Sequence, residues 1–335
     1  CVIVIGNQVA ALGTDHRNSI IMGFCASYGV TGCTGGQHNI IMGTDAAKCN
    51  QTACHNIALG NAAGKNLTTG SENIALGKCV MSSQTVTGSG NIFMGVYSGK
   101  ELTSGTYNIG FGKIALGGAN LSGDGNLAMG CGSGRNVTSG NNNLFLGKDA
   151  GKQISSSSCN LFIGNFAGCS STAGDHNVVI GNCANVALIT GSCQLAIGMG
   201  ANNWITGTSD FMVGIGLTNP TSRLTVTGDV SISGVATATD FDSTSDIRLK
   251  TNIKPIDDPV SKVIQIEGVS FNWKKDDRPA LGVIADQVEK ILPQLVHGDD
   301  PKTVNYNGLV GLLIEVVKDQ QKQIDKLSDR ISKLE

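Results

Sequence analysis

A short repeat organises the first two-thirds of the chain. Each copy has an asparagine, an apolar residue, a variable residue, a leucine, methionine or isoleucine, and a closing glycine, as in Asn56–Gly60. The closing glycines are 16 to 20 residues apart, most often 17. Self-similarity at such a period indicates a solenoid of stacked repeats. Clear copies begin at Asn39, Asn56, Asn73, Asn91, Asn108, Asn126, Asn143, Asn160 and Asn177, and degenerate copies end at Gly6, Gly23, Gly198 and Gly214.

Each repeat predicts one short β-strand between two bends. Ile74 and Leu76 share one face of such a strand and Ala75 faces the other way, because side chains alternate along a strand. We expect the face with Ile74 and Leu76 to form the solenoid core, and one asparagine per turn to form a hydrogen-bonded column. Thirteen turns at a strand spacing of ~4.8 Å would make a rod of roughly 60 Å. A second apolar position recurs ten residues before the next closing glycine, at Leu67, Leu102, Val137, Ile154 and Leu188.

The residue two places after each asparagine is also apolar or glycine. If this position lies opposite the core, it forms an apolar stripe along the rod, which another subunit should cover. Trimerisation about the long axis is the simplest solution. The stripe contains Ile41, Ala58, Ala75, Phe93, Gly110, Ala128, Phe145, Phe162, Val179 and Ala196.

The Asn-Ile-Ala-Leu-Gly repeats resemble the β-roll heads of trimeric autotransporter adhesins and the shaft repeats of phage tail fibres. The resemblance covers residues 1–200. It implies a mainly β fold of stacked repeats in a trimeric fibre. Residues 201–244, with the short alternating segments Leu224–Val226 and Val230–Ile232, are interpreted as a β neck.

Composition supports a thin repetitive core. The chain has 46 glycines, 4% aromatic and 15% charged residues, and a formal net charge of −2. This charge argues against a nucleic-acid partner, and no apolar run approaches the ~20 residues needed to span a membrane. The sequence opens in mid-pattern at Cys1, so we expect further sequence upstream.

The 11 cysteines all lie between Cys1 and Cys193. Their odd number and the absence of a CxxC motif favour small buried apolar residues that stay reduced, rather than a disulfide framework. Cys159, His176 and Cys193 share one position in three successive turns. A soft metal bound in this column is the less favoured alternative to simple bend residues.

The C-terminal region has a different character, because charge density rises after Ser245 and the glycine-rich repeat stops. Ser245–Ile253, Ala280–Glu289, Leu292–Val296 and Val304–Tyr306 resemble the intramolecular chaperone auto-processing domain found at the ends of phage endosialidases, tail fibres and neck appendages. The resemblance covers residues 245–335. It implies a small α+β chaperone domain at 245–308 and a coiled-coil helix at 309–335.

The resemblance also implies a self-cleavage site. Carried over by position, Ser245 is the nucleophile, Lys250 is the supporting amine, and the cut falls between Thr244 and Ser245. A hydroxyl needs a base in contact to act as a nucleophile, and a lysine serves as that base only when burial or neighbouring charge favours its neutral form. Asp246, Arg248 and Asn252 match the motif as well. Two alternative roles remain open for Arg248: it lowers the pKa of Lys250, or it binds a carboxylate instead.

The last segment predicts a helix with heptad spacing. Val310, Val317, Ile324 and Ile331 are seven residues apart, and so are Leu313, Gln320, Leu327 and Leu334. Gln320 would be a polar layer that fixes register. The number of strands in the coiled coil rests on the family resemblance.

These observations predict a phage or viral fibre subunit that trimerises, binds a host receptor (a glycan or a protein) and contacts other virion proteins through an upstream segment. Its C-terminal module would drive assembly in the host cytoplasm and act once as a serine endopeptidase on its own chain. We expect no cofactor, no other substrate, no nucleic-acid partner and no membrane insertion. A bacterial trimeric surface adhesin, or a tailspike with an upstream glycan-degrading domain, are the alternatives.

Overall fold

The computed structural model describes residues 1–9, 16–28, 36–232 and 235–334. The chain divides into two compact units, Cys1–Val235 and Ala236–Glu335. None of the helices in these described ranges is both long enough and apolar enough to cross a membrane.

Twelve short parallel strands, β1–β12, stack in one sheet of the first unit, each in register with the strand one repeat later. This confirms the predicted mainly β architecture of stacked repeats. The strands are Ile3–Ile5, Ile20–Met22, Ile40–Met42, Ile57–Leu59, Ile74–Leu76, Ile92–Met94, Ile109–Phe111, Leu127–Met129, Leu144–Leu146, Leu161–Ile163, Val178–Ile180 and Leu195–Met199.

Three further strands end the sheet: β13 (Asn202–Gly207), β14 (Val213–Ile215) and β15 (Leu224–Val226). β13 is antiparallel to both β12 and β14. The repeat copy that ends at Gly214 therefore does not continue the parallel stack, and the prediction of a thirteenth equivalent turn was wrong.

The predicted orientation of the strands was also wrong. The central residue of each strand points into the solenoid, so Ala75, Phe145 and Phe162 are buried, while the flanking residues such as Ile74 and Leu76 are only half-buried. The stripe expected to face a partner is instead the solenoid core.

The repeat asparagine explains this orientation. Asn73 is 1% exposed and lies two residues before Ala75, so both side chains point to the same interior face. The interior is thin, and its side chains must share the space between turns. Gly110 occupies the core position next to Phe93, because a Cβ at Gly110 would collide with the Phe93 ring.

The predicted asparagine column is confirmed. Asn91 Nδ2 donates to Asn73 Oδ1 at 3.0 Å and to the Gly105 carbonyl at 2.8 Å. The Asn91 backbone N–H donates to the same Asn73 oxygen at 2.9 Å. The column therefore forms hydrogen bonds with buried backbone groups at the bend. Without a partner, these groups would lower the stability of the fold.

The closing glycine is required by two constraints at once. Gly60 has φ +134°, and a Cβ there would lie 2.5 Å from the Gly77 carbonyl oxygen in the next turn. Only glycine tolerates this backbone conformation and this close approach.

Other expectations about the shaft were confirmed in part. Leu67, Leu102, Val137 and Ile154 are fully buried at the second apolar position, but Leu188 is 67% exposed. No disulfide joins any two of the ten cysteines in the described residues. They are not the buried residues that we expected, because only Cys25 is buried and the others are partly or fully exposed.

Because the core lies on the other side, the residues one and three places after each asparagine form the outer surface of the strands. We call these residues the outer stripe. They are half-buried or exposed and almost all are isoleucine, leucine, valine or methionine; Ile40, Met42, Met94 and Met129 are among the more exposed.

The second unit contains α1 (Pro259–Val263), β16 (Val269–Asn272), β17 (Pro279–Gly282), α2 (Ala285–Ile291), β18 (Val296–His297), β19 (Thr303–Val304) and α3 (Tyr306–Ser332). β16 pairs with β17 and β18 with β19, both antiparallel. A small core forms where Val288 and Leu292 of the α2 segment meet Leu312 of α3.

The predicted C-terminal helix is present, and it begins at Tyr306. Its heptad residues are exposed: Val317 and Ile324 have 62% and 58% of their surface accessible. The helix contacts its own unit through other residues, of which Leu312 and Val316 are buried.

Candidate active site

A single turn of 3-10 helix, Ile247–Leu249, brings the two predicted catalytic residues together. Ser245 precedes this turn and Lys250 ends it, and the Lys250 N–H donates to the Ile247 carbonyl at 3.1 Å. Lys250 Nζ lies 2.6 Å from Ser245 Oγ. An amine at this distance can accept the hydroxyl proton once it is neutral.

Asp246 and Arg248 stabilise the turn itself. Asp246 is its N-cap and accepts from the Arg248 N–H at 2.8 Å. The Arg248 guanidinium donates to both oxygens of the same carboxylate, with Nη2 at 2.6 Å. These bonds lower the pKa of Asp246 and raise that of Arg248. Of the two roles left open for Arg248, the structure shows carboxylate binding.

Asn252 follows the turn with a left-handed backbone, φ 56°. Asparagine tolerates this conformation better than most residues. This supports a role in the path of the chain away from Lys250.

A further residue at the site was not predicted. Asn307, in the first turn of α3, donates from Nδ2 to Ser243 Oγ at 2.8 Å. Ser243 lies two residues before Ser245, on the other side of the predicted scissile bond. Because the two residues are 64 positions apart, no local sequence pattern could have indicated this contact.

The less favoured metal site is not formed. Within the described ranges, which include Cys159, His176 and Cys193, no three His, Cys, Asp or Glu side chains are grouped so as to hold a metal ion. All three residues have a left-handed backbone, with φ of 56–58°, immediately before the repeat asparagine or its glutamine counterpart. They occupy a bend position, and His38 and His55, at the same position in earlier turns, stack with ring centroids 4.8 Å apart.

The segment that carries the site has a recognisable family. Residues 245–297 match the family described as chaperone of endosialidase. These residues form a chaperone of endosialidase domain. The match begins at Ser245, and this family indicates autoproteolytic chaperone activity.

The chain is also similar to long tail fibre proteins of phages. It is 31% identical over 108 residues to long tail fiber protein Gp37 of Salmonella phage S16, covering 28% of this chain and 14% of that protein. It is 29% identical over 98 residues to the Gp37 protein of Enterobacteria phage K3, covering 26% and 8%. It is 35% identical over 80 residues to that of Escherichia phage AR1, covering 20% and 7%.

The aligned part is thus a small fraction of each relative's length. No solved structure matches the chain. Together with the β-solenoid, these similarities support a phage tail fibre protein with a C-terminal chaperone domain.

Proposed function

We propose that this chain is a subunit of a trimeric phage fibre whose C-terminal chaperone aligns three chains and then cuts itself free between Thr244 and Ser245. In the virion the shaft binds a host surface receptor. The observation that carries the proposal is the 2.6 Å contact between Lys250 Nζ and Ser245 Oγ at the start of the chaperone domain.

The chemistry follows from this contact. Ser245 Oγ attacks the Thr244 carbonyl carbon while Lys250 Nζ accepts its proton, and the proton then passes to the departing Ser245 nitrogen as the Thr244–Ser245 bond breaks. The resulting ester is hydrolysed by water, which leaves a Thr244 carboxylate and restores the hydroxyl. Each chain turns over once, because its substrate is its own backbone.

Two apolar surfaces support trimerisation. The outer stripe of the shaft and the exposed heptad residues of α3 both leave large side chains accessible to solvent in the single chain. Contiguous apolar surface of this kind is typical of subunit interfaces. The proposed trimer contact in the shaft is therefore the outer stripe, not the residues predicted from the sequence.

Cleavage should wait for assembly. Lys250 is exposed in the single chain. Burial at a subunit interface would favour the neutral amine and switch on the base. The Asn307–Ser243 bond supports this coupling, because it joins Ser243, the second residue before the scissile bond, to the helix that carries the heptads.

The test compares the wild type with Ser245→Ala, Lys250→Ala and the control Lys254→Ala on denaturing and native gels. Lys254 is an exposed lysine of the same segment. The wild type and the control should yield a fragment that begins with Ser245, as read by mass spectrometry. The two site variants should remain full length and still trimerise.

Two results contradict the proposal. One is cleavage of Ser245→Ala at the same bond. The other is self-cleavage of the wild type when it is kept monomeric by dilution or mild denaturant.

A further inference from the structure

The positive charge of the shaft is concentrated at one corner of the solenoid. Residues 1–200 contain nine lysines and arginines, and eight of them are the first or the fifth residue after a closing glycine. We call these eight residues the basic ridge. Each of the seven turns whose closing glycines run from Gly43 to Gly147 contributes at least one. The ridge consists of Lys48, Lys65, Lys78, Lys100, Lys113, Arg135, Lys148 and Lys152.

The backbone holds this array in a fixed order. The Lys78 carbonyl accepts from the Tyr97 N–H at 3.0 Å, and the Lys113 carbonyl accepts from the Gly132 N–H at 2.9 Å. Each bond connects one corner to the corner of the next turn. Successive corners are therefore spaced at about the 4.8 Å strand repeat, over roughly 30 Å of shaft.

The two positions of the ridge are neighbours in space. Lys148 is the first residue after its glycine and Lys152 the fifth, and both ammonium groups lie over the Phe166 ring, at 5.4 and 5.7 Å from its centroid. Phe166 belongs to the corner of the following turn. Cation–π contacts of this kind hold both lysines at the same surface.

Acidic residues neutralise only part of the ridge. Lys48 pairs with Asp45 at 3.1 Å and Lys100 with Glu101 at 3.2 Å. Asp149 shares the corner as well, which leaves an excess of five positive charges from the eight cations and three acids. The other six cations form no ion pair with any residue in the described ranges.

The remaining described acids of the shaft lie elsewhere. Glu72, Asp124 and Asp175 occupy the bend just before the repeat asparagine. The chain therefore carries a basic ridge although its formal net charge is −2. The net charge does not indicate the ridge, because the acidic residues that balance it lie elsewhere. Charge arranged in this way creates a local potential that attracts anions.

We propose that the basic ridge binds a linear anionic glycan, in which carboxylate or phosphate groups recur along a sugar chain. A row of charges on a regular backbone fits an extended polymer rather than a compact ligand, and the backbone needs no ordering on binding. Duplex DNA carries a charge every ~1.7 Å of its axis, several times denser than the ridge. A glycan with one acidic group every one or two sugars is a closer match.

The choice of a surface glycan as ligand rests on the proposed role as a host-binding fibre, but the assay is independent of cleavage. Binding of the full chain to immobilised polygalacturonate, phosphorylated dextran and neutral dextran is measured across a salt series. The first two distinguish carboxylate from phosphate as the recognised group. The variant Lys113→Gln/Arg135→Gln/Lys148→Gln should lower the affinity for at least one anionic polymer by about tenfold or more and flatten its salt dependence.

A compensated variant separates the ridge from net charge. Adding Glu72→Gln, Asp124→Asn and Asp175→Asn to the triple variant restores the formal charge, and the amides keep the acceptor oxygens that Asp124 and Asp175 present to Thr106 and Ser158. This variant should bind as weakly as the triple variant. Recovery of binding, equal binding of neutral dextran, or stronger binding of a DNA duplex than of either anionic glycan overturns the proposal.

Discussion

The two units of this chain bury apolar surface in opposite ways. In Cys1–Val235 each turn contributes one central strand residue to a continuous core, and Phe93, Phe145 and Phe162 are completely buried within a single chain. In Ala236–Glu335 the central core residues are Val288, Leu292 and Leu312, while Leu281, Ile264 and the α3 heptads are largely exposed.

This difference separates folding from assembly. The solenoid closes its core with its own next turn, and the outer stripe is the apolar surface proposed to contact a partner chain. The C-terminal unit exposes most of its large apolar residues, which is unfavourable for a domain of about 100 residues in isolation. A unit of this kind is suited to bring chains together, whereas the solenoid is suited to persist after assembly.

The largest effect is expected from a charge in the solenoid core. Phe145→Asp should destabilise the shaft of each chain by ~4 kcal/mol or more, because it removes a buried ring and introduces a buried carboxylate. Hydrogen exchange at the amides of β9 and its neighbours measures the loss.

Leu144→Asp is the matched control for that variant. Leu144 is the preceding residue of the same strand and belongs to the outer stripe. The charge there should weaken trimers while leaving exchange in the single chain unchanged. Equal exchange effects from both variants would contradict the assigned strand orientation.

A second large effect is expected in the C-terminal helix. Val317→Asp should abolish trimers and self-cleavage without loss of helix in the single chain, because Val317 is 62% exposed there. Analytical ultracentrifugation and circular dichroism measure the two properties. Lys322→Asp, outside the heptad positions on the same helix, should leave both unchanged. Trimers that survive Val317→Asp would assign assembly to the shaft instead.

A smaller effect is expected from core volume within the solenoid. Gly110→Ala places a methyl group against the Phe93 ring and should cost ~1–3 kcal/mol. Phe93→Leu should recover part of this loss in the double variant, as measured by denaturant unfolding. Additive losses would mean that the two positions do not share space.

The repeat made the solenoid predictable, but it did not give the orientation of the strand. Alternation alone leaves two faces, and hydrophobicity favoured the face with Ile74 and Leu76. The asparagine was the signal that decides the orientation. Its side chain hydrogen-bonds buried backbone groups, and Asn73 lies two residues before Ala75, so both side chains point to the same face of the strand. Gly110 beside Phe93 indicated the same orientation. A small residue in one turn next to a large residue in the adjacent turn is typical of a thin, closely packed interior.

The site was predictable to a different extent. Family resemblance indicated Ser245 and Lys250, and the segment from Ser245 to Lys250 is only six residues long, so their proximity follows from local sequence. Asn307 could not be found in this way, because its contact with Ser243 joins two residues that are 64 positions apart in the chain and meet only in the folded C-terminal unit. The basic ridge was missed for another reason. Its residues recur at two fixed positions of the repeat, and the total charge of the chain contains no information about position.

The smallest expected effect concerns Lys302, which tests whether ion pairs contribute to the marginal C-terminal unit. Lys302 Nζ lies 2.6 Å from both Asp286 Oδ1 and Glu289 Oε2. The bonds to these carboxylates raise the pKa of Lys302, and the bond to Lys302 lowers the pKa of Asp286. The stability that comes from the Asp286 shift is present above the ordinary pKa of 3.8 and is lost as pH falls through the lower pKa of the folded state. The stability that comes from the Lys302 shift is present below pH 10.5 and is lost only as pH rises beyond that value.

Lys302→Met should therefore lower the Tm of this unit slightly near neutral pH and by less at about pH 2, where the carboxylates are protonated. Lys275→Met, at an exposed lysine without an ion pair in the described ranges, should not change the Tm at either pH. A decrease that persists at low pH would indicate that the side-chain stem, rather than the ion pair, stabilises the unit.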